Sequence, residues 1–178
     1  AVWIGARPQQ TTTVRDLASG VELRYRLLDA EEAGAAAFVD GLAVHLGAGP
    51  SGADVVRRLH PAGIEDFFFF AARPAAETLS YALDVTSVAG LRLIGQNLEL
   101  LDRSGTPRLR VTPPYLVDAS GTVHRAALTV GGCRYDEQSS PPWGRAPLPP
   151  GAPTCAVTVS WEGAGVRYDA EVTHACLR

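Results

Sequence analysis

The residues best suited to chemistry in this chain are four histidines (His45, His60, His124, His174), three cysteines (Cys133, Cys155, Cys176) and the adjacent acids Glu65-Asp66. No histidine has a second at helical spacing, no HExxH occurs, and no GxSxG turn exposes a nucleophilic serine. The cysteines form no CxxC, and no histidine completes a zinc set with them. Glu65 and Asp66 point to opposite sides of a strand, so they cannot act as one carboxylate pair. Gly47-Ala48-Gly49-Pro50-Ser51-Gly52 is formally GxGxxG, but only Ala53–Leu59 follows before His60-Pro61-Ala62-Gly63 interrupts. Without a strand–helix–strand unit around it, that stretch reads as a surface loop, not a phosphate cradle. Asp102 and Asp118 lack the alternating oxygen ligands of a calcium loop. Spacing leaves open calcium at the acidic turns, which supply oxygen ligands, and a Ser–His–Asp set gathered from distant strands, because such sets are defined by geometry. The expectation is therefore no catalytic, cofactor-binding or metal-binding residue.

Composition narrows the classes further. All 16 basic residues are arginine, so chemistry that needs a lysine amine is excluded, as is a lysine-based isopeptide crosslink. A formal charge of −3, with arginines scattered and no interleaved aromatics, argues against a nucleic-acid surface. No apolar run approaches the roughly 20 residues of a membrane helix. The chain has no methionine, and Ala1–Gly5 is not a signal peptide, so a processed or excised chain is expected.

The elements that must position these residues show a period of two, the signature of half-buried strands. Val21, Leu23, Tyr25 and Leu27 share one face; Leu79, Tyr81, Leu83 and Val85 another; Cys155, Val157, Val159 and Trp161 a third; Val166, Tyr168, Ala170 and Val172 a fourth. Phe67–Phe70 is apolar on both sides and reads as a central strand, the other reading being an exposed binding stripe. Asp102-Arg103-Ser104-Gly105 and Asp118-Ala119-Ser120-Gly121 are turn signals, Asp bonding the entry and Gly taking positive φ at the exit. They predict hairpins from Leu98–Asp102 to Arg108–Val111 and from Tyr115–Asp118 to Val123–Val130. Arg24, Arg26, Arg92, Arg108 and Arg110 read as solvated strand faces that discourage edge pairing. Only Ala30–Ala37 and Ala53–Leu59 have helical character, and both are too short to stand alone. The fold class expected is all-β: an antiparallel β-sandwich-like module of successive hairpins with a long Pro-rich loop. Residues 1–60 are expected as an N-terminal β-rich segment packed on a main antiparallel domain of residues 61–178.

Cys133 and Cys155 flank six prolines, Pro141, Pro142, Pro147, Pro149, Pro150 and Pro153, a stretch unable to form helix or central strand. A disulfide there would anchor the loop and remove roughly 3 kcal/mol of unfolded-state entropy. The other reading is two small buried apolar residues. Cys176 is left over as an unpaired or intermolecular thiol.

The runs HPAGIEDFFFF (His60–Phe70), GLRLIGQNLELLD (Gly90–Asp102), PRLRVTPPYLVDASG (Pro107–Gly121), PPWGR (Pro141–Arg145) and TCAVTVSW (Thr154–Trp161) carry a resemblance. The chain is similar to the N-terminal β-rich module of very large exported repeat proteins of myxobacteria and related bacteria, which precedes Kelch-like or β-propeller repeats. The match runs from about His60 to Val172 and, more loosely, back to Thr13. The resemblance implies export, a scaffold or adhesive setting, and pairing of Cys133 with Cys155; it supplies no catalytic residue. Tyr168–Arg178 departs from the family's acidic-proline exit.

The function expected is a non-catalytic structural or interaction module of a larger secreted or cell-surface protein, extracytoplasmic and without a membrane span. Its expected partners are neighbouring domains of the same or another chain, or a cell-surface protein or polysaccharide. The alternatives are an accessory or pro-region of an exported hydrolase, and a small-ligand or carbohydrate binder. The last would place Trp143, Trp161 or Tyr115 on an exposed concave face, Trp143 being the foremost contact candidate.

Overall fold

The computed structural model of the chain describes residues 1–31, 35–141 and 145–168, together with the main chain of 174–177. Its strands form three antiparallel sheets, and the one helical turn among the described residues is a 3-10 turn at Pro50–Gly52. In sheet A the order is β1 (Val2–Trp3), β2 (Thr12–Arg15), β3 (Glu22–Leu27), β8 (Thr78–Asp84), β15 (Thr154–Ser160), β14 (Ala127–Gly131). Sheet B runs β13 (Val123–Arg125), β12 (Tyr115–Val117), β16 (His174–Leu177), β7 (Gly63–Phe69), β6 (Asp54–His60), β5 (Leu42–His45), β4 (Ala37–Val39). Sheet C is β11 (Pro107–Val111), β10 (Asn97–Leu101), β9 (Gly90–Ile94).

Alternation builds the core as the sequence predicts. Leu23, Tyr25 and Leu27 of β3, Leu79, Tyr81 and Leu83 of β8, and Cys155, Val157 and Val159 of β15 are all buried on one side of sheet A. They meet Val55, Phe68 and Leu116 of sheet B, with Phe68 edge-on to Tyr81 at 6.4 Å between ring centroids. Two sheets packed face to face make the sandwich. Each large apolar side chain buried there contributes about 1.5–3 kcal/mol relative to exposure. Phe70 and Trp161 close one end, their centroids 5.6 Å apart.

Sheet C has two unlike faces because its three strands are in register. Leu98 opposes Leu93 and Val111, and Leu100 opposes Leu91 and Leu109, giving an aliphatic face. Glu99 opposes Arg92 and Arg110 on the other, bonding both at 2.9 Å. The Pro-rich loop binds the open edge of β9: Asp136 N–H donates to Leu91 O and Leu93 N–H donates to Asp136 O, at 2.9 and 2.8 Å. Arg92 reaches the loop carbonyl of Ser140 at 2.7 Å. Cys133 and Cys155 form the disulfide, with Cα atoms 5.4 Å apart, and tie the start of this loop to β15.

Several expectations are corrected. Ala53–Leu59 is strand β6 apart from its first residue, because pairing with β5 and β7 outweighs weak local helical preference. Of Ala30–Ala37, Ala37 opens β4, and residues 32–34 lie outside the described ones. The strand expected over Val123–Val130 is interrupted at Ala126: β13 pairs in sheet B and β14 in sheet A, so the chain changes sheet there. Val166–Tyr168 is not strand, and residues 169–172 of that expected element lie outside the described ones. Residue 60 is not a boundary, since it lies in the β6–β7 hairpin, and strands from both sides of it share sheets A and B. Arg92 is not solvated; it is 9% exposed beneath the loop. Phe67–Phe69 does lie in a strand interior to its sheet, with Phe68 buried and the rings of Phe67 and Phe69 stacked on the outer face at 6.5 Å.

Candidate functional site

Where sheets B and C diverge above the inner face of sheet A, they leave a cleft of about 640 Å³. Val14, Leu23, Leu83 and Val157 of sheet A form its floor. Ile64, with the β6–β7 turn at His60–Gly63, forms one wall, and β11 forms the other. The floor is aliphatic and the lining as a whole mainly apolar, with His60, Arg108 and Arg110 on the walls, and the volume lies within the usual range of ligand pockets.

The cleft has a polar inner end built from three strands. Tyr25 and Tyr81 direct their hydroxyls to Asp66, donating to Oδ1 at 3.3 Å and Oδ2 at 3.5 Å. Behind Asp66, on the neighbouring strand, Arg57 Nε stands 3.6 Å from Oδ1 while its Nη2 donates to Pro8 O at 2.9 Å. Arg57 has no solvent exposure, and its Nη1 has no hydrogen-bond partner among the described residues. Burial pushes the Asp66 carboxyl above its ordinary value, against the pull of the Arg57 charge. Burial also raises both tyrosines well above theirs, and Asp66 adds to that shift, so the hydroxyls stay protonated as donors. The three contacts to Asp66 are long, which leaves the carboxylate with acceptor capacity to spare.

The β6–β7 register explains how a charged pair came to lie here. Arg57 opposes Asp66 on the inner face, and Arg58 opposes Glu65 on the outer face, where Arg58 Nη2 meets Glu65 Oε2 at 2.5 Å. Glu65 and Asp66 do take opposite sides. The sequence reading missed Arg57, Tyr25 and Tyr81 as a group. The tyrosines stand in core positions of two strands, and the doubled Arg57-Arg58 does not reveal which arginine turns inward.

At the mouth, His60 Nδ1 accepts the Ala62 N–H at 3.3 Å, which in the neutral ring places the proton on Nε2. That Nε2 is buried without a hydrogen-bond partner among the described residues.

A serine, a histidine and an acid do converge elsewhere, at the β12–β13 turn. Ser120 Oγ donates to Asp118 Oδ1 at 2.6 Å, and His124 Nε2 lies 2.9 Å from Asp118 Oδ2. The acid is central, whereas a nucleophilic relay needs the imidazole between the hydroxyl and the acid. The β10–β11 turn repeats the geometry: Ser104 Oγ donates to Asp102 Oδ1 at 2.6 Å and Arg108 Nε to Oδ2 at 2.6 Å. In both turns the backbone N–H groups two and four residues on also bond the acid, and Gly105 and Gly121 both take φ 80°. Arginine replaces histidine in the twin, so the arrangement is a turn staple.

Of the expected site residues, Cys133 and Cys155 are brought together, and Trp143 and the Cys176 side chain lie outside the described residues. The main chain of Cys176 pairs between Phe67 and Tyr115 in sheet B. Trp161 is not an exposed contact: it is 6% exposed and donates through Nε1 to Tyr168 at 3.0 Å. Gly47–Gly52 forms a turn and the 3-10 turn and leads into strand β6, not a helix.

The chain matches no protein-family model, no curated protein and no solved structure. No described helix is long and apolar enough to cross a membrane.

Proposed function

We propose that this chain is a non-catalytic interaction module of a larger exported protein, and that it docks a segment of another polypeptide in the cleft between its sheets. The observation that carries the reading is the cleft itself, about 640 Å³ with an aliphatic floor drawn from four strands of sheet A. Sites of this shape and lining are where folded domains hold apolar partners. The disulfide and the resemblance to exported repeat-protein modules support an extracytoplasmic setting.

Selection of displayed random heptapeptides on the intact protein tests the reading. Peptides rich in apolar residues are expected to enrich, and Ile64→Trp, which fills the cleft wall, is expected to abolish the enrichment. Equal enrichment on both proteins would sink it.

A small apolar ligand is the second reading, favoured by the Asp66–Tyr25–Tyr81 cluster as a polar anchor at the inner end. It calls for tight binding of a probe such as N-phenyl-1-naphthylamine with no peptide enrichment.

A further inference from the structure

The six consecutive residues Pro107–Thr112 all line the cleft. A strand that turned one face to a cavity would show alternate residues only, because side chains alternate across the strand. A continuous run therefore means that the edge of β11 borders the cleft. Among the described residues, the backbone ladder of β11 runs to β10 alone. Pro107 has no N–H, so the donors on the strand come from Arg108 onward.

The opposite edge of the same sheet shows what such an edge accepts. There β9 takes an extended loop segment through paired hydrogen bonds at Asp136. The two faces of sheet C then set the chemistry of a strand laid beside β11. On one face Leu109 and Val111 continue the aliphatic surface over Leu23, Leu83 and Val157. On the other, Arg110 is 55% exposed at its side chain and shares Glu99 with Arg92, two guanidiniums against one carboxylate. That trio carries a net positive charge.

We infer that the docked segment is an extended peptide strand that adds to the edge of β11, with alternate apolar side chains in the cleft and acidic ones on the arginine side. This rests on the docking reading above and deepens it by naming the mode and the partner's pattern. Main-chain hydrogen bonds supply affinity, and the alternating pockets supply selectivity. Arginines on an edge repel basic strands, so the protection expected of them becomes a filter on partner charge.

The test uses the whole protein and blocked heptapeptides that alternate valine and glutamate. Three forms are titrated by calorimetry: the plain peptide, one N-methylated at alternate backbone nitrogens, and one with lysine in place of glutamate. The plain peptide is expected to bind, and each altered form to bind at least tenfold more weakly. Hydrogen exchange on the unaltered protein is expected to show new protection at Arg108–Val111 when the plain peptide is added. Equal affinity of the N-methylated peptide, or no protection at β11, overturns strand addition. If Ile64→Trp still abolishes binding in that case, docking in the cleft stands without it. If Ile64→Trp leaves the plain peptide's affinity unchanged, the docking reading falls. Binding of N-phenyl-1-naphthylamine with no peptide binding overturns both in favour of a small ligand.

Discussion

At Asp66 two forces on one carboxylate oppose each other. Burial favours the neutral acid, while Arg57 and the two tyrosine hydroxyls favour the anion. Removing one charge leaves the other stranded, because Arg57 is fully buried and its remaining bond is to Pro8 O. Asp66→Asn is expected to cost about 3–5 kcal/mol in urea unfolding, and Arg57→Leu combined with Asp66→Asn to recover most of it. A single-mutant loss within a few tenths of a kcal/mol of zero would mean that the pair is uncoupled. Asp102 and Asp118 carry the opposite sign. Their serine bonds, followed by Arg108 and His124, hold both carboxyls well below the ordinary range. A depressed folded pKa gives stability that is full above the unfolded value, about 4, and is lost as pH falls toward the folded one. Asp66, with its folded pKa raised, works the other way, losing its contribution as pH rises. The depressed group is larger, since Asp16, Glu77 and Asp84 belong to it too. Melting temperature is therefore expected to drop below about pH 4, and Asp118→Asn to shallow that slope, as calorimetry across pH 2–7 would show.

The Pro-rich loop depends on close approach to β9. A Cβ on Gly90 would stand 2.6 Å from Pro147 Cβ and 2.9 Å from Leu148 O, so only glycine lets the loop lie flat on β9. Gly90→Ala is expected to cost about 1–3 kcal/mol by overpacking and to loosen the loop first. Faster trypsin cleavage after Arg145 at unchanged overall fold would report that loosening. Alternation made β3, β8 and β15 legible, and the two Asp-Ser-Gly turns were readable because each side chain bonds backbone within four residues. The Gly95-Gln96 hairpin, with both residues at positive φ (54° and 69°), escaped notice because glutamine is an unusual second residue there.

For the whole molecule, the disulfide spans a sequence separation of 22 and joins the loop covering sheet C to β15, an interior strand of sheet A. Reduction is expected to lower unfolding free energy by about 3 kcal/mol, read as a shift of the urea midpoint with and without reductant. Intact mass after alkylation is expected to count one thiol without reductant and three with it. Three without reductant would refute the bonded pair.

What the sequence by itself determined was the part written in neighbours: strands from a period of two, turns from Asp and Gly at fixed offsets, and a loop from its prolines. The inward choice between Arg57 and Arg58, the meeting of Tyr25, Tyr81 and Asp66, and the position of the β11 edge along the cleft were decided by the tertiary structure alone. Each depends on which strands lie side by side and in what register, and that is set by burial summed over residues far apart in the chain.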